Sequence, residues 1–153
     1  MVTCYPLLFG FKDLIAGNGF FAGVTVAGRA LLADEGGGFW MYGVNPGGVA
    51  AGGATAAEAQ AEFRRMYTSV LFDIAAEAAS FEELKAEVEQ FFHATNEPTA
   101  VEWETAVADV RQGRTDADWL PKKRAESKIG VEVVLLEHAV PSVNALDEAQ
   151  LAA

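Results

Sequence analysis

Two histidines, His93 and His138, stand 45 residues apart, and neither has a second His or Cys at metal-ligand spacing. Structural and catalytic zinc sites draw on closely spaced sets of such ligands, so no metal centre is assigned. Gly17-Asn18-Gly19-Phe20-Phe21-Ala22 has the G-x-G-x-x-A form of a dinucleotide fingerprint. The residues after it read as a strand and no alternating βαβ units follow, so a hairpin turn is the reading adopted. Neither G-x-x-x-x-G-K-[ST] nor G-x-S-x-G occurs, and Ser69, Ser80, Ser127 and Ser142 have no suggestive neighbours. The acids between 58 and 109 recur at solvent-face helical positions. Glu132 and Glu137 lie on the last strand, but residues 20–33 hold no acid before Asp34, whereas a two-metal nuclease needs acids converging at strand centres. No catalytic, cofactor or metal-binding residue is assigned, and no enzyme is expected.

Binding chemistry is easier to find. Phe39-Trp40-Met41-Tyr42 places large side chains on both faces of one short strand. One face can lie under helices; the other is either covered by a helix or exposed as an interface. Charge is uneven along the chain: net −1 over residues 1–53, −8 over 54–113 and −2 over 114–153, for a total of −11. Such a field repels phosphate backbones, so direct nucleic-acid binding is not expected, whereas a basic protein would be attracted. Lys122-Lys123-Arg124 reads as a solvated loop.

The elements that position these residues follow from pattern. Residues 4–15 read as a strand, Asn18-Gly19 as a tight turn, and 20–33 as a second strand bending near Gly23 and Gly28. Asp34–Gly38 is a turn, 39–44 a third strand, Asn45–Gly48 a corner, and 49–53 a short edge strand. Period 3.6 then takes over. Thr55/Glu58, Ser80/Glu83 and Thr99/Glu102 each form a capping box at a helix start. The first helix, about 56–78, carries Ala59, Phe63, Met66, Tyr67, Val70, Leu71 and Ile74 on one stripe. The second turns Phe81, Leu84, Val88, Phe91 and Phe92 inward. The third turns Trp103, Ala106, Val107 and Val110 inward and stops at Gly113. Residues 114–128 are a loop with at most one helical turn over Asp116–Leu120. Ile129–Glu137 is a β-branched strand, and Asn144 caps a short terminal helix through Leu151.

Length and composition bound the rest. At 153 residues, with 51% apolar and 22% charged side chains, the chain suits one globular domain, residues 1–153. It divides into a β-meander (1–53), three amphipathic helices (54–113) and a final strand (129–137). A lone cysteine, Cys4, excludes an internal disulfide framework and fits a reducing compartment. No basic leader precedes an apolar run and no uncharged stretch approaches membrane-spanning length, so a cytoplasmic protein without membrane contact is expected.

Residues 29–79 resemble the HicB family of antitoxin-like proteins. Gly37-Gly38-Phe39-Trp40 matches that family's glycine turn and aromatic strand. Asn45 and Gly48 stand at its corner positions, and Gly53-Ala54-Thr55-Ala56-Ala57-Glu58-Ala59 matches its helix start. Val44, Pro46, Gly47 and Ala54 depart from the pattern. The resemblance covers a third of the chain and implies a partial ribonuclease-H-like β-β-β-α-β core without the nuclease acids. Strand 129–137 would close that core after a helical excursion over 80–128. It also implies an antitoxin that masks a small basic mRNA-cleaving toxin. Too few residues follow 137 for that family's usual DNA-binding segment, so none is expected.

The sequence therefore points to an α+β fold, an antiparallel sheet with helices packed on one face. The expected function is non-catalytic binding of a protein partner by a homo-oligomer. Trp40 and Tyr42 would anchor the partner, and Glu58 and Glu62 would offset its charge. An alternative is a small-molecule or metal-dependent enzyme or binding protein with a site near the glycine-rich turns, lined by His138 and Asp34. A third is a purely structural oligomerisation module.

Overall fold

The computed structural model describes residues 2–121 and 124–138. Lys122 and Lys123 of the basic run, Ser142, the side chains of Glu137 and His138, and the helix expected over Asn144–Leu151 lie outside the described residues. Strands β1 (Thr3–Gly17), β2 (Phe20–Asp34), β3 (Phe39–Asn45) and β4 (Ala50–Gly53) follow one another. Helices α1 (Ala56–Glu77), α2 (Phe81–His93) and α3 (Glu97–Arg111) come next, and β5 (Gly130–His138) is last. The protein is α+β, and its five strands form one antiparallel sheet.

The β1–β2 hairpin is the backbone of the sheet, with every residue from Thr3↔Asp34 to Gly17↔Phe20 in register. Gly19 takes the positive φ of its turn, 84°, where a side chain would be strained. On its other edge β2 is shared. Its first half, Phe20–Ala27, pairs with β5, and its second half, Arg29–Asp34, pairs with β3. A register shift at Arg29/Ala30, next to Gly28, marks the division. The expected meander is thus present over β1–β4, and the last strand returns beside β2.

Strand alternation sends neighbouring residues to opposite faces, and both faces of β2 are apolar. Phe20, Ala22, Val24, Val26, Ala30 and Leu32 pack beneath α1 and α2. Leu31, with Val44 of β3, instead packs against Trp103, Ala106 and Val107 of α3. The helices therefore do not all share one face, contrary to expectation. Two-sided burial is what a near-continuous apolar run such as 20–33 requires.

Helix starts follow the capping logic. The Thr55 and Ser80 hydroxyls accept from the amides of Glu58 and Glu83, and both glutamates reach back to amides ahead of the helix. The third start differs: Asn96 caps α3, its side chain accepting from Thr99 N, so the helix begins two residues before Thr99 and buries that residue. Pro98 fits this earlier start, because a first-turn proline lacks only an amide that would be unpaired anyway. Gly113, at φ 76°, follows the last turn. Met66, expected on the buried stripe of α1, is exposed; Ala56 and Ala75 complete that stripe instead. Asp116–Leu120 forms a turn closed by Leu120 N donating to Ala117 O, not a helix.

At the centre of the core, Tyr67 of α1 lies among Phe9, Phe11 and Phe91, with ring centroids 5.0–6.4 Å away. Its hydroxyl is buried and finds no hydrogen-bond partner among the described residues. Leaving a buried hydroxyl unpaired costs about 1–3 kcal/mol, so Tyr67→Phe is expected to stabilise the protein by about 1 kcal/mol in urea unfolding. Burial also pushes the Tyr67 phenol pKa well above its ordinary value. The folded chain then keeps a proton that the unfolded chain releases above about pH 10, so stability falls as pH rises past that point. Tyr67→Phe should remove up to about 1.4 kcal/mol per pH unit from that alkaline slope. An unchanged slope would mean that the phenol already ionises freely when folded.

Candidate docking site at the β4 edge

Trp40 and Tyr42 project from β3 on the face opposite α1, as the burial of Met41 between them under α1 requires. Their rings stack, with centroids 6.1 Å apart and planes 20° from parallel. The Trp40 indole lies flat across β4 because Gly52 has no side chain; a Cβ there would sit 2.7 Å from the ring. Despite this support, Trp40 remains 43% exposed. The Tyr42 hydroxyl donates to Glu35 Oε2 at 3.0 Å, tying the strand to the turn that precedes it. Burial first, then that bond and the Glu35 charge, raise the Tyr42 pKa, so the phenol stays a donor at neutral pH.

β4 pairs only with β3, and no strand among the described residues pairs with its other edge. An open edge offers unpaired amides and carbonyls to an added strand. Trp40 flanks this edge on one face, and the start of α1 flanks it on the other. Glu58 Cβ lies only 2.7 Å from where a Cβ on Gly53 would stand. The four residues singled out from sequence thus frame one edge from two sides and do not form a single patch. Glu58 already caps the helix, its Oε1 accepting from Ala54 N at 2.9 Å. Glu62 accepts from Arg65 Nε at 2.7 Å, and this bond holds its carboxyl below the usual range. Both acids contribute field at the edge, with their best hydrogen bonds made inside the chain.

Behind the edge, a polar knot that sequence reasoning missed holds the β3–β4 corner. Arg29 donates from Nε (3.0 Å) and a terminal guanidinium nitrogen (2.7 Å) to Asn45 Oδ1. Asn45 Nδ2 donates in turn to Thr95 Oγ1 at 2.6 Å. The guanidinium lies 5.1 Å from the Trp103 ring centroid and 3.7 Å from Glu104. Two backbone bonds, Gly47 N to Ala94 O and Asn96 N to Val44 O, clamp the same corner to the α2–α3 junction. The available signal was Arg29 itself, the one base in an otherwise apolar strand.

A second feature is a cleft of about 700 Å³ at the outer edge of β1. Tyr5, Leu7, Phe9, Trp103, Val107 and Leu120 are among its walls, and Arg111, ion-paired with Glu126, stands at its margin. Its size falls within the range of small-molecule sites. Ala117 and Leu120, apolar residues in a polar loop, were the sequence trace of it. Elsewhere the motifs resolve into structure. Gly17–Ala22 is the hairpin turn, whose Asn18 side chain donates to Ala76 O and Ala78 O at the end of α1. His93 is exposed at the end of α2 beside Phe92. Asp34 accepts from Gly36 N within its own turn. No group of three or more His, Cys, Asp or Glu side chains gathers at metal distance among the described residues. Nor is any described helix long and apolar enough to cross a membrane. Burial, then the charges of Glu102 and Glu35, push the Cys4 thiol up, which keeps it a poor nucleophile.

Compared with known proteins, the chain matches no family model, no curated protein and no solved structure.

Proposed function

We propose that this chain acts by binding another protein at the β4 edge, without catalysis, in the manner of a HicB-type antitoxin that masks a small basic toxin. One observation carries the reading: a large aromatic side chain, Trp40, stays 43% exposed beside a strand edge that no described strand pairs. Exposed aromatics backed by a rigid neighbour are the usual anchors of protein contacts, and an open edge adds backbone hydrogen bonds. The partner's chemistry is set by charge. Residues 54–113 carry a net −8, so a basic protein is drawn in and an acidic one refused. Inhibition would be steric, with the edge and Trp40 covering the partner's working surface.

The test compares two baits, the wild-type chain and Trp40→Ala, against native extract at moderate salt. A small basic protein should be retained by the wild type and lost at least about tenfold by the variant, which should unfold at nearly the wild-type temperature. Equal retention by both baits, or retention of no basic protein, would remove the basis of the reading.

The cleft at β1 favours a second reading, small-molecule binding. Val110→Trp, at a half-buried wall position, fills that cleft without touching β4. Loss of a ligand-induced thermal shift in this variant, with capture of the protein partner intact, would assign the cleft a separate role.

A further inference from the structure

α3 covers only one end of its sheet face, the end formed by Leu8, Leu31 and Val44. At the other end no other described element covers the same face of β1, β2 and β5. Register places Lys12, Thr25 and Glu132 in one row across these three strands, and Leu14, Gly23 and Val134 in the next. Leu14, Val134 and Leu136 are 55%, 44% and 46% exposed. They lie together: a Cβ on Gly23 would be 3.7 Å from both Leu136 Cδ1 and Lys12 Cε. The three exposed aliphatic side chains gather on one sheet face, and the arrangement of charge around them bears on what could cover it.

We propose that this half-face is the contact between two copies of the chain. Lys12 and Glu132 flank Thr25 symmetrically, one strand away on each side, roughly 5 Å each. Face-to-face packing of identical sheets admits a two-fold axis in the plane of contact, either along β2 or across it. An axis across the strands sets Lys12 against Lys12 and Glu132 against Glu132. An axis along β2 through Thr25 sets each Lys12 against Glu132 of the second copy and each Leu14 against Val134. Only the second arrangement joins unlike charges, and it does so twice. The row is thus self-complementary, and its two charges cancel in a chain of net charge −11. It stands at the opposite end of β2 from the β4 edge, so the inference does not depend on the partner-binding reading.

The test is the mass of the full chain in solution at micromolar concentration, by light scattering. A dimer of the 16.3 kDa chain is expected. Lys12→Glu alone, or Glu132→Lys alone, turns both symmetric contacts repulsive and should raise the dissociation constant about a hundredfold. Lys12→Glu combined with Glu132→Lys restores unlike pairs across the axis and should return it to within about tenfold of wild type. Leu14→Asp should give monomer. All four variants alter exposed side chains, and circular dichroism checks that they fold. A monomeric full chain, a dimer untouched by Leu14→Asp, or a double swap no better than the single variants would overturn the proposal. A full chain that is monomeric and dimerises only when cut after His138 would overturn it by giving the face to residues 139–153.

Discussion

Gly43→Ala is expected to lower unfolding free energy by at least about 3 kcal/mol, a larger loss than most exposed-strand substitutions cause. Gly43 lies where β3 runs into the corner that leads to β4, and its amide donates to Val49 O at 2.8 Å. A Cβ there would stand 1.9 Å from Pro46 O and 3.0 Å from Val49 O. Both obstacles are backbone carbonyls, so no side chain can swing aside. The corner must open, and opening it breaks the bond to Val49 and releases β4. Urea unfolding should report the loss, and the melting temperature should fall by roughly 10 °C for a chain of this size. Partner capture should fall with it, because the open edge is held in place by this corner. A Gly43→Ala protein of wild-type stability would show that the corner is looser than its contacts imply.

Asn45→Leu should cost a comparable amount, roughly 3 kcal/mol, for a different reason. Asn45 is 5% exposed and links two elements distant in sequence. Its carbonyl oxygen accepts from Arg29 and its amide donates to Thr95. Leucine fills similar space but leaves a half-buried guanidinium with the 3.7 Å contact to Glu104 and the Trp103 ring face, neither of which accepts the donors that Asn45 Oδ1 held at 2.7–3.0 Å. A charged donor stripped of its acceptor is more costly than a neutral one. Asn45→Asp should behave quite differently and remain within about 1 kcal/mol of wild type. A carboxylate accepts from Arg29 at least as well. The Thr95 hydroxyl can rotate to donate to the second oxygen, giving up only its long 3.4 Å bond to His93 O. Equal losses from the two substitutions, measured in urea, would show that shape and not the polar knot holds the corner.

The two substitutions act on one structural idea. A four-residue strand of alanine and glycine has almost no side-chain packing of its own, so its position is set by what surrounds it. Gly43 and Asn45 fix the approach to it, Trp40 lies across Gly52, and the capping box at Glu58 fixes its exit. An edge held so firmly and left unpaired by the described strands differs from a frayed one: its hydrogen-bonding groups are already arranged for a partner, which lowers the ordering cost of binding.

How far this was legible depends on the range of the forces involved. Capping boxes at Thr55 and Ser80, the Asn18-Gly19 turn and the alternation of β3 are set by residues within four positions of one another. Their sequence reading and their structure agree almost residue for residue. The expected start of α3 lies three residues late because two good caps, Asn96 and Thr99, compete, and Thr99 is drawn into the core. The Arg29–Asn45–Thr95 knot spans 66 positions and left only one odd base as its trace.

Among the described residues, sequence by itself determined the number and kind of the elements, the α+β class and most of the apolar stripe on each helix, because backbone propensity, capping and periodicity are short-range. Tertiary structure alone decided that α3 crosses to the opposite face, that β5 and β3 divide one edge of β2, and that Trp40 and Glu58 bracket β4. A strand apolar on both sides can be roofed by any amphipathic helix. Which helix covers which side follows from chain connectivity and the space remaining once α1 and α2 are seated.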